Sequence, residues 1–489
     1  MIDVVIAGAG PNGLMLACEL ALAGVRPLVL ERLAGPTEEQ RANGMVGQVV
    51  RMLDRRGLYA RLSGTDAPPQ PAPGFVFGAF PLHLAELPDN PLYILPVPQR
   101  RLEQVLAERA AELGVEVHRG HEVTGLTQDA DAVYVTLATG ESVTARWLVG
   151  ADGGRSVVRK LAGIDFPGVT SDDSVSRTAH VSVPASSVDP VTGGLVVPGY
   201  GTVPPFQHTR TERGLIAWAP FPNRAPMLTA VEFPESPEFD APMTIDDLRA
   251  SASRVLGADV PVGPPTGDDP HLLRRLVGGN TRLADRYRAG RVLLVGDAAH
   301  VHSAIGGPGL NLGLQDAVNL GWKLAAEVHG WAPDALLDSY EAERRPVAER
   351  VTMSTQAQSV LIGPGSEITA LRVLFGELLE IPAVRAYIAA LLAGSAAGWA
   401  PDLVLHTDSG PVRLAELTSN ARPLLLDFTG TLAEVAAPWR DRVDVVAAKA
   451  EGTDATAMLI RPDCYVAWIS TAERPDQQEL REALTRWFG

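Results

Sequence analysis

The chain has 489 residues, of which 46% are hydrophobic and 20% are charged, and its formal net charge is −16. This composition is typical of soluble globular proteins and excludes a disordered chain. The negative charge argues against general binding to nucleic acids, because phosphate groups would be repelled. Two cysteines, Cys18 and Cys464, exclude a disulfide framework and a cysteine-rich metal cluster. The length predicts about two to four domains.

Membrane and export signals are weak. The longest uncharged apolar stretch, at about Ala386–Ala400, is too short for a transmembrane helix of about 20 residues. The N-terminus does not match a signal peptide, since Asp3 stands where a basic segment belongs and Glu19 interrupts the apolar run. We therefore expect a cytoplasmic protein without a membrane partner.

A strand–helix–strand pattern opens the chain. Residues Asp3–Ala7 are β-branched and are followed by glycine, which predicts a buried strand. A helical pattern then runs from Leu14 to about Ala23, and a second strand is predicted at Pro27–Leu30. This order predicts a βαβ unit at the N-terminus.

The segment between the first strand and the helix, Gly8–Gly13 (GAGPNG), matches G-x-G-x-x-G. Its first glycine permits a tight turn, the second lets the backbone approach a pyrophosphate, and the third allows close helix–strand packing. Glu31 follows the second strand, where a carboxylate can accept hydrogen bonds from an adenosine ribose. The motif in this context predicts a dinucleotide site.

The rest of the chain alternates between helical and strand patterns. The predicted elements are a helix in the second half of Arg41–Leu58, an edge strand at Phe75–Phe77, a helix at Gln99–Leu113, strands between Val115 and Val149, a sheet-rich stretch from about 175 to 280, a strand at Arg291–Val295, a long helix from Leu310 and further helices to about residue 400. The tail has strand patterns at Leu424–Phe428, Val443–Ala447, Ala457–Ile460 and Tyr465–Ile469, then a helix from Gln477.

Two further predicted strands end in acidic residues and glycines. Asp152-Gly153 follows the strand that begins near Trp147, and Asp297 follows the strand Arg291–Val295. The loop Gly306–Gly309 then opens the long helix, whose free amides and positive dipole end suit a ring carbonyl that gains negative charge. All three motifs are predicted at the carboxyl edge of one sheet, and this convergence favours a flavin nucleotide.

His300 and His302, together with Asp297, allow a metal-site interpretation. A metal ion at this H-x-H pattern needs a further ligand, and no residue at a suitable spacing supplies one. We therefore expect these histidines to pack within the loop, and we predict no metal.

The chain resembles the single-component FAD-dependent aromatic hydroxylases (class A flavoprotein monooxygenases), especially the branch that tailors polyketide antibiotics in actinomycetes. Besides G-x-G-x-x-G, the resemblance rests on DGGRS at Asp152–Ser156 and on GDAAH followed by GPGLNLGLQDAVNLGWKLA between Gly296 and Ala325. It covers nearly the whole chain. It implies tight non-covalent FAD, transient NADPH and O2 as co-substrate, with one oxygen atom passing to an aromatic substrate through a flavin C4a-hydroperoxide.

The resemblance also implies an α/β fold with a Rossmann-like FAD-binding domain, an inserted sheet-rich substrate domain and a C-terminal thioredoxin-like domain. The predicted division is 1–175 (FAD-binding domain, first part, with about 70–98 contributing to the substrate domain), 176–280 (substrate-binding domain), 281–400 (FAD-binding domain, second part, and helical region) and 401–489 (thioredoxin-like domain). Because Cys464 stands alone, the tail has no C-x-x-C and dithiol chemistry is excluded.

The resemblance assigns cofactor roles to particular residues. Glu31 would hold the adenosine ribose, and Asp297 would bind the ribityl region. Arg41 and Gln99 would reach the FAD phosphates and ribityl, while Asp152 would support FAD and the docked nicotinamide. The complete predicted set is Gly8, Gly10, Pro11, Asn12, Gly13, Glu31, Arg32, Arg41, Gln48, Gln99, Val123, Asp152, Asp297, Pro308, Gly309, Leu310 and Asn311.

The sequence departs from the family in two loops near the flavin. Val46-Gly47-Gln48-Val49 stands where the family often has His-x-Arg-Thr, so an arginine contact to the flavin is either lost or replaced by Gln48. Ala304 stands where a proline is usual, and Pro308 where a glutamine or lysine is frequent. The loop with Ala304 and Pro308 lies close to the reactive edge of the flavin and to the substrate in the family, so the type of oxygenation stays open.

Substrate residues are predicted from aromatic side chains in the second domain or its approach, although such residues also fit a plain core. They are Phe75, Phe77, Phe80, His83, Tyr200, Phe206 and Trp218. His208 is a candidate general base toward a phenol, or else an ordinary core or surface residue. No further catalytic side chain is predicted, because the flavin carries the chemistry.

Several functions remain open at this level. The main prediction is hydroxylation of a small polycyclic aromatic molecule by a monomer or homodimer. The alternatives are Baeyer–Villiger oxygenation of a ketone or quinone, an antibiotic-inactivating monooxygenase, a flavin reductase or dehydrogenase, and a nucleotide-binding protein without catalysis.

Overall fold

The computed structural model describes residues 1–37, 42–221, 224–235, 242–267, 271–394 and 398–489. Its first part contains the predicted strand–helix–strand unit, and every residue of the second strand of that unit is buried. The strands of this part are β1 (Ile2–Ala7), β2 (Pro27–Glu31), β3 (Met45–Val46), β4 (Gly74–Phe77), β5 (Phe80–His83), β6 (Ile94–Leu95), β7 (Glu116–Arg119), β8 (Val123–Gln128), β9 (Val133–Leu137) and β10 (Ser142–Gly150). The helices are α1 (Pro11–Leu22), α2 (Gln48–Asp54), α3 (Tyr59–Ser63), α4 (Gln99–Glu112) and α5 (Val157–Leu161).

A sheet-rich part follows and gives way to a helical part. The former contains β11 (Gly168–His180), β12 (Leu195–Val197), β13 (Gly201–Val203), β14 (His208–Thr211), β15 (Gly214–Ala219), β16 (Met227–Glu232), α6 (Ile245–Leu256) and β17 (Leu273–Leu283). The latter contains β18 (Arg288–Ala289), β19 (Val292–Leu294), β20 (His300–Val301), α7 (Pro308–His329), α8 (Asp338–Ile362), α9 (Ser366–Leu379) and α10 (Pro382–Ala393). Helix α7 begins two residues before the predicted start, because Pro308 fits the first helical position, where no N–H is needed.

The remaining residues, 398–489, form the C-terminal region. They contain β21 (Val404–Thr407), β22 (Gly410–Arg413), α11 (Leu414–Leu417), β23 (Leu424–Asp427), α12 (Ala433–Ala436), β24 (Asp444–Ala447), β25 (Lys449–Ala450), β26 (Ala457–Ile460), β27 (Val466–Ser470) and α13 (Gln477–Phe488). The four strands and the terminal helix predicted here are present with small shifts of their ends. The pairing of β21 with β22 and β25 was not predicted, because these strands are short and only partly buried.

The N-terminal strands build a mixed sheet, called the main sheet, with the order β18-β19-β10-β1-β2-β7 and with β9 and β8 continuing from β10. Strands β19, β10, β1, β2 and β7 run parallel. Ala7 pairs with Gly150, and Gly150 pairs with Leu294, so β1, β10 and β19 end side by side. Helix α1 packs on this sheet between α4 and α7, which explains why its central residues, Gly13–Leu20, are all buried.

A second sheet has the order β14-β15-β16-β11-β17-β20 and is antiparallel throughout. Helix α6 covers one of its faces with an apolar core. Strands β11 and β17 pair from Gly168 opposite Arg282 to Ala179 opposite Leu273, with a register shift between Ser171 and Val175, so they cross the predicted boundaries at 175 and 280. These two boundaries are therefore corrected, and the sheet-rich part runs from Gly168 to Leu283.

The hairpin β4–β5 packs against α9 and α10. Residues from about 70 to 98 were expected to contribute to the substrate domain, and this stays a prediction. Phe77 and Phe80 both contact the ring of Phe375 on α9, at centroid distances of 5.7 and 5.3 Å. Arg372 of α9 fixes the hairpin turn further by donating to the Ala79 carbonyl.

In the C-terminal region, a mixed sheet has the order β24-β23-β26-β27, in which β23 and β24 are parallel and the other pairs are antiparallel. Leu480, Leu484 and Phe488 attach α13 to this sheet through a buried cluster. Helix α7 contributes Trp322 to the same cluster, so the C-terminal region shares core with the preceding helices. In the parts of the chain described here, no helix has both the length and the apolar character needed to cross a bilayer.

Candidate cofactor-binding site

The three glycine and acidic motifs lie together where β1, β10 and β19 end. A Cβ atom added at Gly8 would lie 2.5 Å from the carbonyl oxygen of Ala151, in the loop after β10. A Cβ added at Gly296, after β19, would lie 2.0 Å from Nδ2 of Asn12. The predicted convergence at the carboxyl edge of one sheet is therefore present, and it has a direct cause in the register of the three parallel strands.

Two glycines of the first motif are required by backbone packing, and the third leaves space for a ligand. Gly8 has φ of 111°, and a Cβ at Gly13 would lie 2.0 Å from the carbonyl oxygen of Gly8, so both are required by the fold. Gly10 has an ordinary φ of −73° and nothing within 4 Å of an added Cβ. The backbone at Gly10 is open to an approaching ligand, as a pyrophosphate requires.

Glu31 ends β2 next to this loop and is 9% exposed. Its Oε2 accepts from the amide of Ala9 at 2.7 Å, and its Oε1 accepts from the amide of Leu33 at 2.9 Å. The two hydrogen bonds fix the carboxylate, and each oxygen keeps a further lone pair for a ribose hydroxyl. The backbone carbonyl of Glu31 also accepts from His121, which brings the start of β8 at Val123 toward the same edge.

Two buried oxygens near the motif loops lack a hydrogen-bond partner among the described residues. Asp152 uses Oδ2 to accept from the amides of Val157 and Val158 at 2.7 and 3.1 Å, whereas its Oδ1 is unpaired. The Oδ1 atom of Asn12 is unpaired as well. A buried acceptor without a donor costs about 1–3 kcal/mol, so these atoms fit a ligand that brings hydroxyl or N–H groups.

The start of α7 supplies amide donors at the same edge. Gly307 caps the helix with φ of 66°, and no side chain caps its first turn. Asn311 instead ties the loop together, since its Nδ2 donates to the Gly307 carbonyl at 2.9 Å and its Oδ1 accepts from the Val46 amide at 3.1 Å. The amides of Gly309 and Leu310 therefore keep the positive end of the helix dipole available for a ring carbonyl.

Asp297 lies in the 3₁₀ turn Gly296–Ala298 and is half-buried. Its carboxylate makes no hydrogen bond or ion pair with any residue that the structure describes, which leaves it available to a ribityl hydroxyl. His302 lies nearby with its ring 3.5 Å from the position of a Cβ at Gly309. Burial lowers the pKa of His302, so this ring is neutral at pH 7.

The histidine pair does not form a metal centre with the residues described. His300 is 1% exposed, and its Nε2 lies 2.6 Å from Oδ2 of Asp316 on α7. Arg344 of α8 donates to the other oxygen of Asp316 at 2.7 Å. Within residues 1–37, 42–221, 224–235, 242–267, 271–394 and 398–489, no cluster of three metal-ligating side chains is present.

Asp316 and Arg344 belong to the site but were not among the predicted residues. Burial raises the pKa of Asp316, but Arg344 and His300 outweigh this effect and hold it below its usual value. Asp316 also accepts from the amide of Gly296 at 3.3 Å, and so holds the loop that carries Asp297. An acidic residue within the apolar face of a predicted helix was the available signal, because a buried carboxylate requires a cationic partner.

Several predicted cofactor residues do not join this arrangement. Gln48 is 1% exposed and is engaged with the Pro91 carbonyl and with Arg51, so its assignment as a flavin contact is corrected to a packing role. Gln99 starts α4 and donates to Glu103 at 2.7 Å, which leaves its carbonyl oxygen open. Arg32 is exposed. Arg41 lies outside the described residues.

The predicted aromatic substrate residues do not form one surface, and the assignments of Phe77 and Trp218 are corrected. Trp218 is 1% exposed and belongs to the core under α6, because its face of β15 points to that helix. Phe77 is 3% exposed within the hairpin core, where Phe75 and Phe80 are partly buried. The exposed members of the set are His83, Tyr200 and Phe206.

His208 lies on the face of the second sheet that is turned away from α6. Arg210 shares this face, since side chains alternate along a strand, and it donates to the Gly363 carbonyl after α8 at 2.9 Å. The Nδ1 atom of His208 is buried without a partner among the residues of known placement. Burial lowers the pKa of His208, so its imidazole is a neutral group with a free ring nitrogen.

A pocket adjoins the start of α7 and is closed by α8 and α10. Its α8 wall combines two apolar residues with two polar ones, which are Val347, Val351, Ser354 and Gln358. The other walls comprise Val46, Ile305, Gly306, Pro308, Asn311, Leu312, Gln315 and residues 391–394. The cleft therefore combines apolar and polar walls beside the uncapped amides at the start of α7.

Together, an α/β fold with a glycine-rich loop, unpaired buried acceptors and an uncapped helix start fit a dinucleotide cofactor, as in a flavoprotein oxidoreductase. Comparison with known families agrees, because residues 1–355 match the family model "FAD binding domain" and residues 394–489 match "Aromatic-ring hydroxylase, C-terminal". The chain belongs to the family of FAD-dependent aromatic-ring hydroxylases and is a flavin-dependent monooxygenase.

Three similar proteins span the whole chain. The 12-dehydrotetracycline 5-monooxygenase/anhydrotetracycline 6-monooxygenase of Streptomyces rimosus is 43% identical and is covered over 99% of its length. The rifampicin monooxygenase of Streptomyces venezuelae is 40% identical, with 99% of its length covered. The solved structure of a Diels–Alderase from pyrroindomycin biosynthesis is 38% identical, has a TM-score of 0.85 and is covered completely.

Proposed function

We propose that the protein uses FAD, NADPH and O2 to hydroxylate a polycyclic aromatic molecule of the polyketide type. The observation that carries the proposal is the meeting of three motif loops beside the uncapped start of α7. The unpaired oxygens of Asn12 and Asp152 and the open backbone at Gly10 fit the ribose, ribityl and phosphate groups of FAD. The names of the tetracycline and rifampicin relatives support the substrate class.

FAD, when bound, takes electrons from NADPH and activates O2. The protein's part is to bind and orient. Glu31 would bind the adenosine ribose, and Asp297 would bind the ribityl chain. The open backbone at Gly10 would let the pyrophosphate approach. The amides of Gly309 and Leu310, at the positive end of α7, would stabilise negative charge at the pyrimidine edge of the ring.

His208 is proposed as the acceptor for a phenolic proton of the substrate. Its unpaired Nδ1 and its lowered pKa keep a neutral ring nitrogen on the free face of the second sheet. The wall formed by Val347, Val351, Ser354 and Gln358 would exclude water from apolar rings and bind an oxygenated edge. The exposed aromatic residues Tyr200 and Phe206 remain candidates for the approach to this pocket.

We further propose the domain roles. Residues 1–167 and 284–393 would bind FAD, and the sheet between them would carry the substrate. The C-terminal region would be thioredoxin-like, since one parallel pair and two antiparallel pairs build its sheet beside α13. Cys18 and Cys464 are buried, so neither supports redox exchange.

The first experiment combines NADPH oxidation with product mass, using purified holoenzyme, a panel of polycyclic phenols and quinones, and ¹⁸O2. Substrate-stimulated oxidation with one labelled oxygen in the product supports the proposal. Ring expansion or cleavage beside the labelled atom would indicate Baeyer–Villiger oxygenation, and loss of antibiotic activity would indicate a role in inactivation. A product formed without NADPH or O2 would contradict the proposal and indicate cyclisation of the kind named for the Diels–Alderase relative.

A further inference from the structure

A buried arginine connects the C-terminal region with α7 and α8. Arg461 follows β26, is 5% exposed and donates through its two terminal nitrogens to both oxygens of Glu343, at 2.8 and 2.7 Å. It also donates to Asp463 at 2.6 and 3.0 Å. Its guanidinium carbon lies 4.4 Å from the ring centroid of Trp487 and 5.6 Å from that of Trp322. Such a paired and stacked arginine holds both surfaces in one geometry.

Two residues of α7 complete this cluster. Lys323 is fully buried and donates to Glu343 at 3.0 Å and to Asn319 at 2.9 Å. Asn319 donates in turn to Glu343 and to Asp463, each at 2.8 Å. Two cations and two anions therefore balance, and Glu343 receives bonds from α7 and from the C-terminal region at once.

The next residue of α8 reaches the cofactor loop. Arg344 donates to Asp316 at 2.7 Å and to the Leu312 carbonyl at 3.2 Å. Asp316 then accepts from the Gly296 amide and contacts His300, which flank Asp297 on both sides. Arg461 is therefore connected to the loop that presents Asp297 by two sets of hydrogen bonds, one at Glu343 and one at Arg344, which are consecutive residues of α8.

The beginning of α8 depends on such contacts because of Pro346. A proline inside a helix removes one backbone hydrogen bond and its ring opposes the preceding turn. The turn before Pro346 carries Tyr340, Glu343 and Arg344, and Tyr340 also donates to the Leu294 carbonyl at 2.7 Å. Side-chain contacts therefore add to the weakened backbone of α8 in holding the turn that carries Arg344.

We propose that the C-terminal region is a positioning element of the cofactor site, acting from Arg461 through Glu343 and Arg344 on the Asp316–Gly296 contact. This inference rests on the proposed FAD site. The region acts without touching the cofactor, and its effect is to hold the Asp297 loop in the conformation that binds the flavin.

The test is FAD binding to the full-length protein with Arg461→Met and Glu343→Gln. Apoprotein of each variant is titrated with FAD by flavin fluorescence, and the visible circular dichroism of the bound flavin is recorded. We expect about tenfold weaker binding and an altered flavin spectrum in both variants, because the network loses a partner and the loop relaxes. Arg461→Lys keeps the positive charge but loses the paired N–H donors of the guanidinium. We expect its affinity for FAD to lie between those of wild type and Arg461→Met.

Arg422→Met is the matched control, since Arg422 pairs with Asp444 inside the C-terminal region at 2.8 Å and both are partly exposed. Its FAD affinity should equal that of the wild type. If Arg461→Met does not fold, the FAD affinity of Glu343→Gln, which keeps the side-chain shape, tests the proposal. Lower thermal stability with unchanged FAD affinity and spectrum would overturn the proposal and leave the region a purely structural role. Failure of the wild type to bind FAD would instead contradict the proposed function.

Discussion

Buried polar groups are paired differently in two regions of the molecule. One region is the cofactor edge, and the other is the contact of Glu19 in α1 with Arg56, after α2, next to the C-terminal region. At the cofactor edge, oxygens of Asn12 and Asp152 lack partners among the described residues, and Gly10 leaves space open. At the second contact, Arg56 donates to both oxygens of Glu19 at 2.6 and 2.9 Å, and both side chains are 1% exposed. The unpaired acceptors at the cofactor edge lie beside open space and fit a ligand, whereas the Arg56–Glu19 pair holds two parts of the chain together.

The largest expected effect is at the closed contact. Arg56→Met leaves Glu19 buried without its cation, and we expect a loss of about 3–5 kcal/mol in the free energy of unfolding, measured in urea. Arg249→Met is the control, because its partner Asp246 is well exposed, and we expect a change below about 0.5 kcal/mol. A cost below about 1 kcal/mol for Arg56→Met would mean that the closed contact does not stabilise the fold.

The stabilisation by the Arg461–Glu343 ion pair should depend on pH. Burial raises the pKa of Glu343, but hydrogen bonding and charge from Arg461 dominate and lower it from 4.5 to about 2. The stabilisation is therefore present above pH 4.5 and is lost as the pH falls toward 2, by at most about 3 kcal/mol. The stability difference between wild type and Glu343→Gln should shrink from pH 5 to pH 3 in urea titrations. A difference independent of pH would argue against the ion pair.

At the open edge, two glycines provide a matched pair. Gly10→Ala places a methyl group in the free space above the loop, and we expect FAD binding to weaken about 100-fold with the apoprotein equally stable. Gly13→Ala would bring Cβ to 2.0 Å from the Gly8 carbonyl, so we expect it to destabilise the apoprotein itself. Fluorescence titration and urea unfolding of both variants give the comparison. Equal losses of stability would show that Gly10 also serves packing.

The smallest expected effect compares two aspartates of one loop system. Asp297→Asn removes a charge that has no partner among the described residues, and we expect about tenfold weaker FAD binding without a change in stability. Asp316→Asn disturbs His300 and Arg344, so it should destabilise the protein as well. Reversed behaviour of the two variants, in the same titration and unfolding assays, would contradict the division between open and closed groups.

The elements that were predicted correctly depend on local patterns. The first βαβ unit, α4, the long helix α7 and the strands near the C-terminus follow from apolar periodicity and glycine positions over a few residues. Their order also predicted that three strand ends meet, because parallel strands share one carboxyl edge. The incorrect predictions concerned which face of an element a side chain lies on and which residues contact it. The assignment of Gln48 to the flavin, and of Phe77 and Trp218 to the substrate, required knowing which neighbour covers each side chain.

The cofactor class could be predicted from local motifs, because G-x-G-x-x-G, the DG and GD motifs and the Gly306–Gly309 loop each carry their chemistry within a short segment. The support of the Asp297 loop by Asp316 and Arg344, and the approach of Arg461 from the C-terminal region, became visible in the folded chain alone. The physical reason is that a buried charge is stable only beside its counter-charge. That partner is set by packing between elements far apart in the chain, which no local pattern records.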